Sequence, residues 1–338
     1  MKRGFLTFLS ALVVMAAGPF LLFAATYLLT WRSYPVKATV ETDSNLPRVV
    51  LKQMTLHAET FGPPQAPVLV VLHDGPGADY RSLLPLKSLS DQFRVVFYDQ
   101  RGSGLSARVP ENKLSVQQAL EELEALVDHI SPDQAVSFFG HGWGGMLATA
   151  YAGRHPQRTA SLILAEPGFL NTEMAHKILP ELSRTSAGFI FNTTLSWIKS
   201  LHIQEPDREA AADFVYSQIR VQPRYHCPQK LPTAESYWRG GFKAWKTITQ
   251  STFTKQGQIA IDFIKDPKSF QKPVLFLISE CNTLTGKTFQ NHQMRLFQQV
   301  KKAEIKHSGH EFLLDNPQAT LAQVRSFLNP SEQKPELK

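Results

Sequence analysis

The chain has 338 residues, a length typical of two domains or of one large domain with an insertion. Hydrophobic residues make up 43% and charged residues 19%, which excludes an intrinsically disordered chain. Two cysteines are too few for a disulfide scaffold or an all-cysteine zinc site. The net charge of +7 is spread along the sequence without a recognition motif for nucleic acid, so no nucleic-acid partner is expected.

The N-terminus carries an uncharged, apolar run from Phe5 to Trp31, preceded by Lys2 and Arg3. At about 1.5 Å per residue, a helix of this length crosses a hydrocarbon core of about 30 Å. Residues 1–32 are therefore predicted to be a single-pass membrane anchor, with the body outside the cytoplasm (periplasmic or extracellular) and residues 33–47 as a polar tether. A cleaved signal peptide and a secreted body are the alternative, although such a peptide has an apolar region of only about 7–15 residues.

Beyond residue 47, short apolar runs alternate with helical patterns. Runs typical of buried parallel strands are Pro67–Leu72, Phe93–Tyr98, Ala135–Phe139, Ser161–Ala165 and Pro273–Ile278. A helix is predicted from Val116 to Ile130, with Ser115 as its cap, and another after Asn316. This alternation predicts an α/β fold, in which helices cover both faces of a mostly parallel sheet.

One segment interrupts the alternation between the fourth and fifth predicted strands. Residues 170–269 have helical patterns, several tryptophans and many polar residues. An insertion of this size is predicted to form a separate helical cap. The core is then predicted over residues 48–169 and 270–330, followed by a polar tail over residues 331–338.

Three unusual loops follow predicted strands, where ligands bind in open α/β sheets. They are His73-Asp74-Gly75-Pro76-Gly77, the octet D-Q-R-G-S-G-L-S from Asp99 to Ser106, and G-H-G-W-G-G from Gly140 to Gly145. The third loop has the spacing of the nucleophile elbow G-x-S-x-G, whose glycines permit a tight turn from strand to helix.

In these loops the chain resembles the α/β-hydrolases, and among them the proline iminopeptidases, over roughly residues 50–328. That branch carries H-G-G-P-G, D-Q-R-G-S-G-x-S and G-x-S-W-G-G, and a helical cap precedes its last acidic residue. The resemblance implies a serine nucleophile, a carboxylate after the strand at Pro273–Ile278 and a histidine near the C-terminus. It also implies an oxyanion hole formed by the backbone N–H groups of Gly75 and Trp143, and it implies no cofactor.

Two of the three catalytic positions depart from this pattern. Gly142 stands at the nucleophile position and has no side chain that could form an acyl-enzyme. Asn282 stands at the acid position, where an amide cannot stabilise an imidazolium as a carboxylate does. The histidine is retained as His310. Asp74 replaces a glycine beside the oxyanion hole, where a negative charge would disfavour a developing oxyanion.

The remaining polar candidates have simpler interpretations. Glu166, after the strand Ser161–Ala165, could supply a substitute acid, although a surface glutamate is the commoner case. Cys281 is expected to be a small apolar residue that fills space in the core. Glu311, the neighbour of His310, is expected to point away from that histidine. His141 is expected to be a structural hydrogen-bond donor. Turn residues are expected at Ser103 and Ser106. The resemblance implies that cap acids could bind a substrate amine, but solvated positions are the default for Glu173, Glu181 and Glu235. The loop histidines show no metal-ligand spacing, so no metal is expected.

The sequence therefore favours a membrane-tethered pseudo-hydrolase that lacks serine catalysis and binds a peptide, a small acyl ligand or a partner protein. A second hypothesis is an active aminopeptidase, amidase or esterase. In that case His310 would activate a water held in the space at Gly142, with Glu166 orienting the histidine. A deliberately inactivated hydrolase would show the same replacements.

Overall fold

The computed structural model describes residues 17–52, 54–182, 184, 186–204, 207–219, 223–230, 236–254, 256, 258–259, 263–264 and 270–329. Within these residues the centre is an eight-stranded sheet of order β1-β2-β4-β3-β5-β6-β7-β8. The strands are β1 (Arg48–Leu51), β2 (Met54–Phe61), β3 (Val68–Leu72), β4 (Arg94–Tyr98), β5 (Val136–His141), β6 (Thr159–Ala165), β7 (Val274–Ser279) and β8 (Val300–Ile305). β2 pairs antiparallel with β1 and β4, and every other neighbouring pair is parallel.

Helices cover both faces of the sheet, so the predicted α/β architecture is confirmed. The first, α1, spans residues 17–29. The others are α2 (Val116–Ile130), α3 (Trp143–Arg154), α4 (Thr172–Leu182), α5 (Ala187–Ser200), α6 (Ala210–Ile219), α7 (Phe242–Ser251), α8 (Lys287–Met294), α9 (Phe312–Asp315) and α10 (Pro317–Leu328). Short 3-10 helices span Arg81–Asp91, Glu111–Lys113, Pro156–Arg158 and Pro223–Tyr225.

The continuous apolar runs form strands because both sides of the sheet are buried. In β3, Val70 and Leu72 pack into the core cluster that contains α2 and α3. The alternate residues Leu69 and Val71 pack into the cluster on the opposite face, with α10. Local capping also follows the sequence, since Ser115 Oγ accepts a hydrogen bond from the N–H of Gln118 at the start of α2.

Cap helices α4 to α7 lie between β6 and β7 in the chain. A disulfide joins Cys227 of this segment to Cys281 in the loop after β7, with the Cα atoms 5.0 Å apart. The expectation that Cys281 is an apolar filler is therefore wrong, because the fold brings together two cysteines that are 54 residues apart. The bond fixes one edge of the cap to the loop that carries Asn282.

The predicted anchor falls partly on residues 1–16, which lie outside the described residues, as does the predicted tail over 331–338. In the described part of the chain, no helix combines the length and the apolar character needed to cross a bilayer. Residues 33–47, predicted as a tether, lie against the body: Tyr34 and Val40 are buried. The apolar side chains of this segment thus pack onto the body instead of leaving it as a free linker.

Candidate active site

The turn between β5 and α3 has the backbone geometry of a nucleophile elbow. Gly142 has φ 49° and ψ −111°, in the region of positive φ that favours glycine. A Cβ on Gly144 would lie 2.2 Å from the carbonyl oxygen of Leu72, so glycine is required for α3 to approach β3 this closely. The elbow is therefore intact at the carboxyl edge of the sheet, and its central residue carries no side chain.

The carboxylate of Asp74, from the loop after β3, fills the space above Gly142. A Cβ built on Gly142 would meet Asp74 Oδ1 at 1.9 Å and Cγ at 2.5 Å. The same Oδ1 accepts a hydrogen bond of 2.8 Å from the backbone N–H of Trp143, the predicted oxyanion-hole donor. The other predicted donor, Gly75, lines the same cavity. The Asp74 carboxylate therefore occupies the space of a nucleophile side chain. It also accepts the hydrogen bond that an oxyanion would accept.

His310 lies between two carboxylates. Its Nδ1 is 3.0 Å from Glu166 Oε2, and its Nε2 is 3.3 Å from Asp74 Oδ2. Glu166 follows β6 and is fully buried, so it is not the surface residue that was the commoner expectation. Its Oε1 accepts hydrogen bonds from both the N–H and the hydroxyl of Ser279, at 2.8 and 2.6 Å. The structure brings Glu166 to the side of His310 that the acid of a catalytic triad occupies.

Asn282 supports this carboxylate. Its Nδ2 donates to Glu166 Oε2 at 2.5 Å, and its Oδ1 accepts from the N–H groups of Leu284 and Thr285 at 2.9 Å each. An aspartate at this position would place a second negative charge against Glu166, which like-charge repulsion disfavours. The amide is thus matched to an acid that comes from the neighbouring strand.

The two carboxylates determine the protonation of His310. Burial alone would lower the pKa of His310, but hydrogen bonds to Asp74 and Glu166 and their negative charges outweigh it and raise that pKa to about 10. Burial would likewise raise the pKa of Asp74, but the hydrogen bond and charge of His310 hold it well below its usual range. At neutral pH, His310 is therefore an imidazolium paired with ionised Asp74.

This pairing makes the stability of the fold depend on pH. The pKa of His310 is about 10 in the folded chain, against an ordinary value of about 6.5, so the stabilisation is complete below about pH 6.5 and is lost as the pH rises through about 10. We expect the free energy of unfolding in urea to fall between about pH 7 and about pH 10.5 by more in the wild-type chain than in His310→Gln. An identical fall in the two chains would contradict the assignment.

His141 packs against His310 as a structural group. Its Nε2 donates to the backbone oxygen of His310 at 2.8 Å, and the two ring centroids are 4.3 Å apart with 32° between the planes. Asp74, His141 and His310 each offer one ligand atom within 4.8 Å of the others. His141 Nε2 and both ring nitrogens of His310 already have hydrogen-bond partners. We therefore assign the cluster as an ion pair of Asp74 and His310 with a neighbouring histidine.

The octet from Asp99 to Ser106 builds the neighbouring loop. Asp99 is buried and accepts hydrogen bonds from the N–H groups of Tyr80 and Leu105, at 3.1 and 2.8 Å, and lies 2.8 Å from His57 Nδ1. Ser106 donates its hydroxyl to the backbone oxygen of Asp99. The octet is therefore structural.

His57 lies on an antiparallel strand with no motif around it, so nothing in the sequence marked it as a partner of Asp99.

A cavity of about 520 Å³ lies above the site. Its floor carries Asp74, Trp143, His310 and Glu311, the last accepting a hydrogen bond of 2.6 Å from the hydroxyl of Tyr237. Its wall is mainly apolar and comes largely from the cap: Ile178, Leu179, Leu182, Phe189, Ile219, Trp245 and Phe253.

The cap glutamates lie elsewhere. Glu173 pairs with Lys177 at 2.6 Å and Glu181 with Arg224 at 2.8 Å, both near the surface, as expected for solvated residues. Glu235 lies outside the described residues. Glu311, by contrast, was expected to point away from the site, but it lines the cavity floor beside His310.

Similarity to known proteins assigns the chain to a family. Residues 67–317 match the family model described as alpha/beta hydrolase fold. The chain is 26% identical over 263 residues to a proline iminopeptidase of Heyndrickxia coagulans, covering 77% of this chain and 90% of that protein. It is 29% identical over 168 residues to a proline iminopeptidase of Thermoplasma volcanium, covering 49% of this chain and only 57% of that protein. The solved proline iminopeptidase of Mycobacterium smegmatis superposes with a TM-score of 0.58 at 20% identity, over 85% of this chain and 98% of that chain.

Proposed function

The chain belongs to the alpha/beta hydrolase fold family, and on that premise we propose that it is a ligand-binding pseudo-hydrolase without serine-dependent acyl transfer. The observation that carries the proposal is the Asp74 carboxylate, which fills the room of the nucleophile above Gly142 and accepts the N–H of Trp143. A substrate carbonyl cannot enter the oxyanion hole while that carboxylate is there.

The magnitudes support a loss of activity beyond the missing hydroxyl. Removal of the nucleophile alone costs a serine hydrolase about a millionfold in kcat, and the remaining thousand- to ten-thousandfold over water comes from the oxyanion hole and substrate binding. Here the Trp143 N–H is already bound to a negative charge 2.8 Å away. That charge would repel a developing oxyanion, so this residual catalysis is lost as well.

The same geometry argues against a water activated by His310. The space at Gly142 that would hold the water contains Asp74. His310 has a pKa of about 10, so at neutral pH it carries a proton and cannot accept another from water. Asp74 therefore opposes both requirements of a water-based mechanism: it occupies the space that the water needs, and it helps to keep His310 protonated.

The cavity favours a ligand with an apolar body and a donor or cationic group at one end. Its wall is apolar, whereas its floor carries Asp74 and Glu311. His310 is already paired with the carboxyl groups of Asp74 and Glu166, at 3.3 and 3.0 Å. An anionic group would face these carboxyl groups, and the imidazolium of His310 is already paired with them. A short apolar peptide or aminoacyl compound with a free amine fits this description.

We expect the full wild-type chain neither to react with a fluorophosphonate nor to hydrolyse proline or leucine amides. Leucine amide should nevertheless raise its melting temperature, because the amine contributes a charge-assisted hydrogen bond to the carboxylate floor. N-acetyl leucine amide, which lacks the cation, is the matched control and should raise it less. Hydrolysis by the wild-type chain that disappears in His310→Ala would contradict the proposal.

We also propose that the N-terminal apolar run attaches the chain to a membrane, with the body in an oxidising compartment. The uncharged run from Phe5 to Trp31 and the exposed apolar side chains of α1 support attachment. The Cys227–Cys281 disulfide supports the compartment, because disulfides persist mainly outside the cytoplasm.

A further inference from the structure

The cap carries an exposed apolar face on α5. Phe191 is 66% exposed and Trp197 44%, and Ile190 and Leu201 are also exposed. Ile190, Trp197 and Leu201 are spaced seven and four residues apart, which places them on one side of a helical segment. Single exposed apolar residues are ordinary, but a contiguous stripe of large ones is typical of an interaction surface.

The C-terminal end of α1 contacts the chain just after the end of α5. His202, just after α5, packs its ring 4.2 Å from the ring of Tyr27 and 5.4 Å from that of Trp31. Its Nε2 also donates to the backbone oxygen of Tyr27 at 3.1 Å. The exposed apolar residues of α1 are Phe20, Leu21, Leu22, Phe23, Leu28 and Leu29. Two exposed apolar helices are therefore joined at His202.

The same cap elements form the wall of the cavity. Leu179 and Leu182 of α4 and Phe189 of α5 line it. Phe189 lines the cavity and the next two residues of α5, Ile190 and Phe191, are exposed, so the cavity wall and the apolar face share this turn of α5. A surface that covered this face would also lie against the cavity rim.

One cation lies at the end of this face. Arg32 follows α1, is exposed, and lines the same small cavity as Leu201 and His202. The whole chain carries a net charge of +7. Apolar side chains beside an arginine suit a bilayer surface with anionic headgroups, where the apolar groups enter the acyl region and the cation meets phosphate or carboxylate.

We propose that the exposed face of α5, together with α1, binds an anionic bilayer surface and sets the cavity rim at the lipid–water interface. The inference rests on the membrane attachment proposed for the N-terminal run, and adds a second contact made by the cap itself. A partner protein is the other occupant that an apolar face could have. The junction of α5 with α1 at His202 and the position of Arg32 beside Leu201 favour lipid.

The test uses the full chain with vesicles of phosphatidylcholine and phosphatidylserine, with and without brominated acyl chains, which quench tryptophan in contact with them. Trp31 and Trp197 are the tryptophans exposed at this face. We therefore expect Trp197→Phe to reduce bromolipid quenching by about half, whereas Trp238→Phe, a half-buried tryptophan packed against Tyr80, leaves most of it. A second pair of variants serves if Trp197→Phe folds poorly: Phe191→Glu should lower quenching and Leu314→Glu, an exposed leucine on α9, should not.

The outcomes separate the two claims. A chain that floats with vesicles and loses quenching in Trp197→Phe and Phe191→Glu supports the inference. A chain that floats but is quenched equally in all variants overturns the inference and leaves membrane attachment standing. A chain that does not float with vesicles overturns both.

Discussion

The double variant Asp74→Gly with Gly142→Ser should gain reactivity towards fluorophosphonates and short acyl esters by at least about a thousandfold over the wild-type chain. The substitution at Asp74 frees the Trp143 N–H and the space above the elbow. It also removes one of the two carboxylates that keep His310 protonated, so the histidine becomes available as a base. The substitution at Gly142 supplies the hydroxyl.

Neither single variant should show this gain. In Gly142→Ser, the new Cβ would lie 1.9 Å from Asp74 Oδ1, so the carboxylate must move for the side chain to fit, and His310 keeps its two acidic partners. In Asp74→Gly, the oxyanion hole is free but no nucleophile exists. Labelling rates of the four chains, measured side by side, check this. Rapid labelling of Gly142→Ser alone would show that Asp74 does not block the site.

In the chain that carries both substitutions, a further Glu166→Gln should lower kcat about ten-thousandfold, the usual cost of replacing a triad acid by its amide. The reason is that Glu166 Oε2, 3.0 Å from His310 Nδ1, is the group that can stabilise the imidazolium. Esterase kcat at saturating substrate is the measurement. Glu280→Gln is the matched control, because Glu280 lies in the neighbouring loop and pairs with exposed Lys306.

The same background tests the role of Asn282. Asn282→Asp should not raise activity, because the new carboxylate would replace a 2.5 Å hydrogen bond to Glu166 with repulsion. If instead Asn282→Asp increased kcat and Glu166→Gln had no effect, the acid would belong to the loop after β7, and the assignment of Glu166 would be wrong.

The parts of the fold that were predictable from sequence are those in which burial on both faces leaves a local pattern. β3 is a continuous apolar run because both of its faces are covered. No apolar run marks the bounds of β8, since it lies at the edge of the sheet and exposes Lys301 and Lys302. β1 and β2 were missed for a similar reason, because their burial is incomplete and mixed.

In the candidate site, too, local features were predictable from the sequence and contacts between distant loops were not. The elbow at Gly142 was predictable, because its glycine spacing is a local requirement of the turn. The contact between Asp74 and Gly142 joins loops after two different strands, and the pairing of Glu166 with Asn282 depends on β6 lying beside β7. Such contacts follow from strand order, which no local pattern encodes. The sequence could therefore identify Asp74 and Glu166 as candidate residues. It could not predict the space that Asp74 occupies or the hydrogen-bond partners of Glu166.

The backbone amide of Trp143 reports directly whether the Asp74 carboxylate occupies the oxyanion hole. In the full chain labelled with ¹⁵N-tryptophan, that amide is identified as the backbone signal lost in Trp143→Phe. A charge-assisted hydrogen bond predicts a proton resonance shifted well downfield in the wild-type chain, which moves upfield in Asp74→Gly. A Trp143 resonance unchanged by Asp74→Gly would show that the hole is open, and would contradict the account.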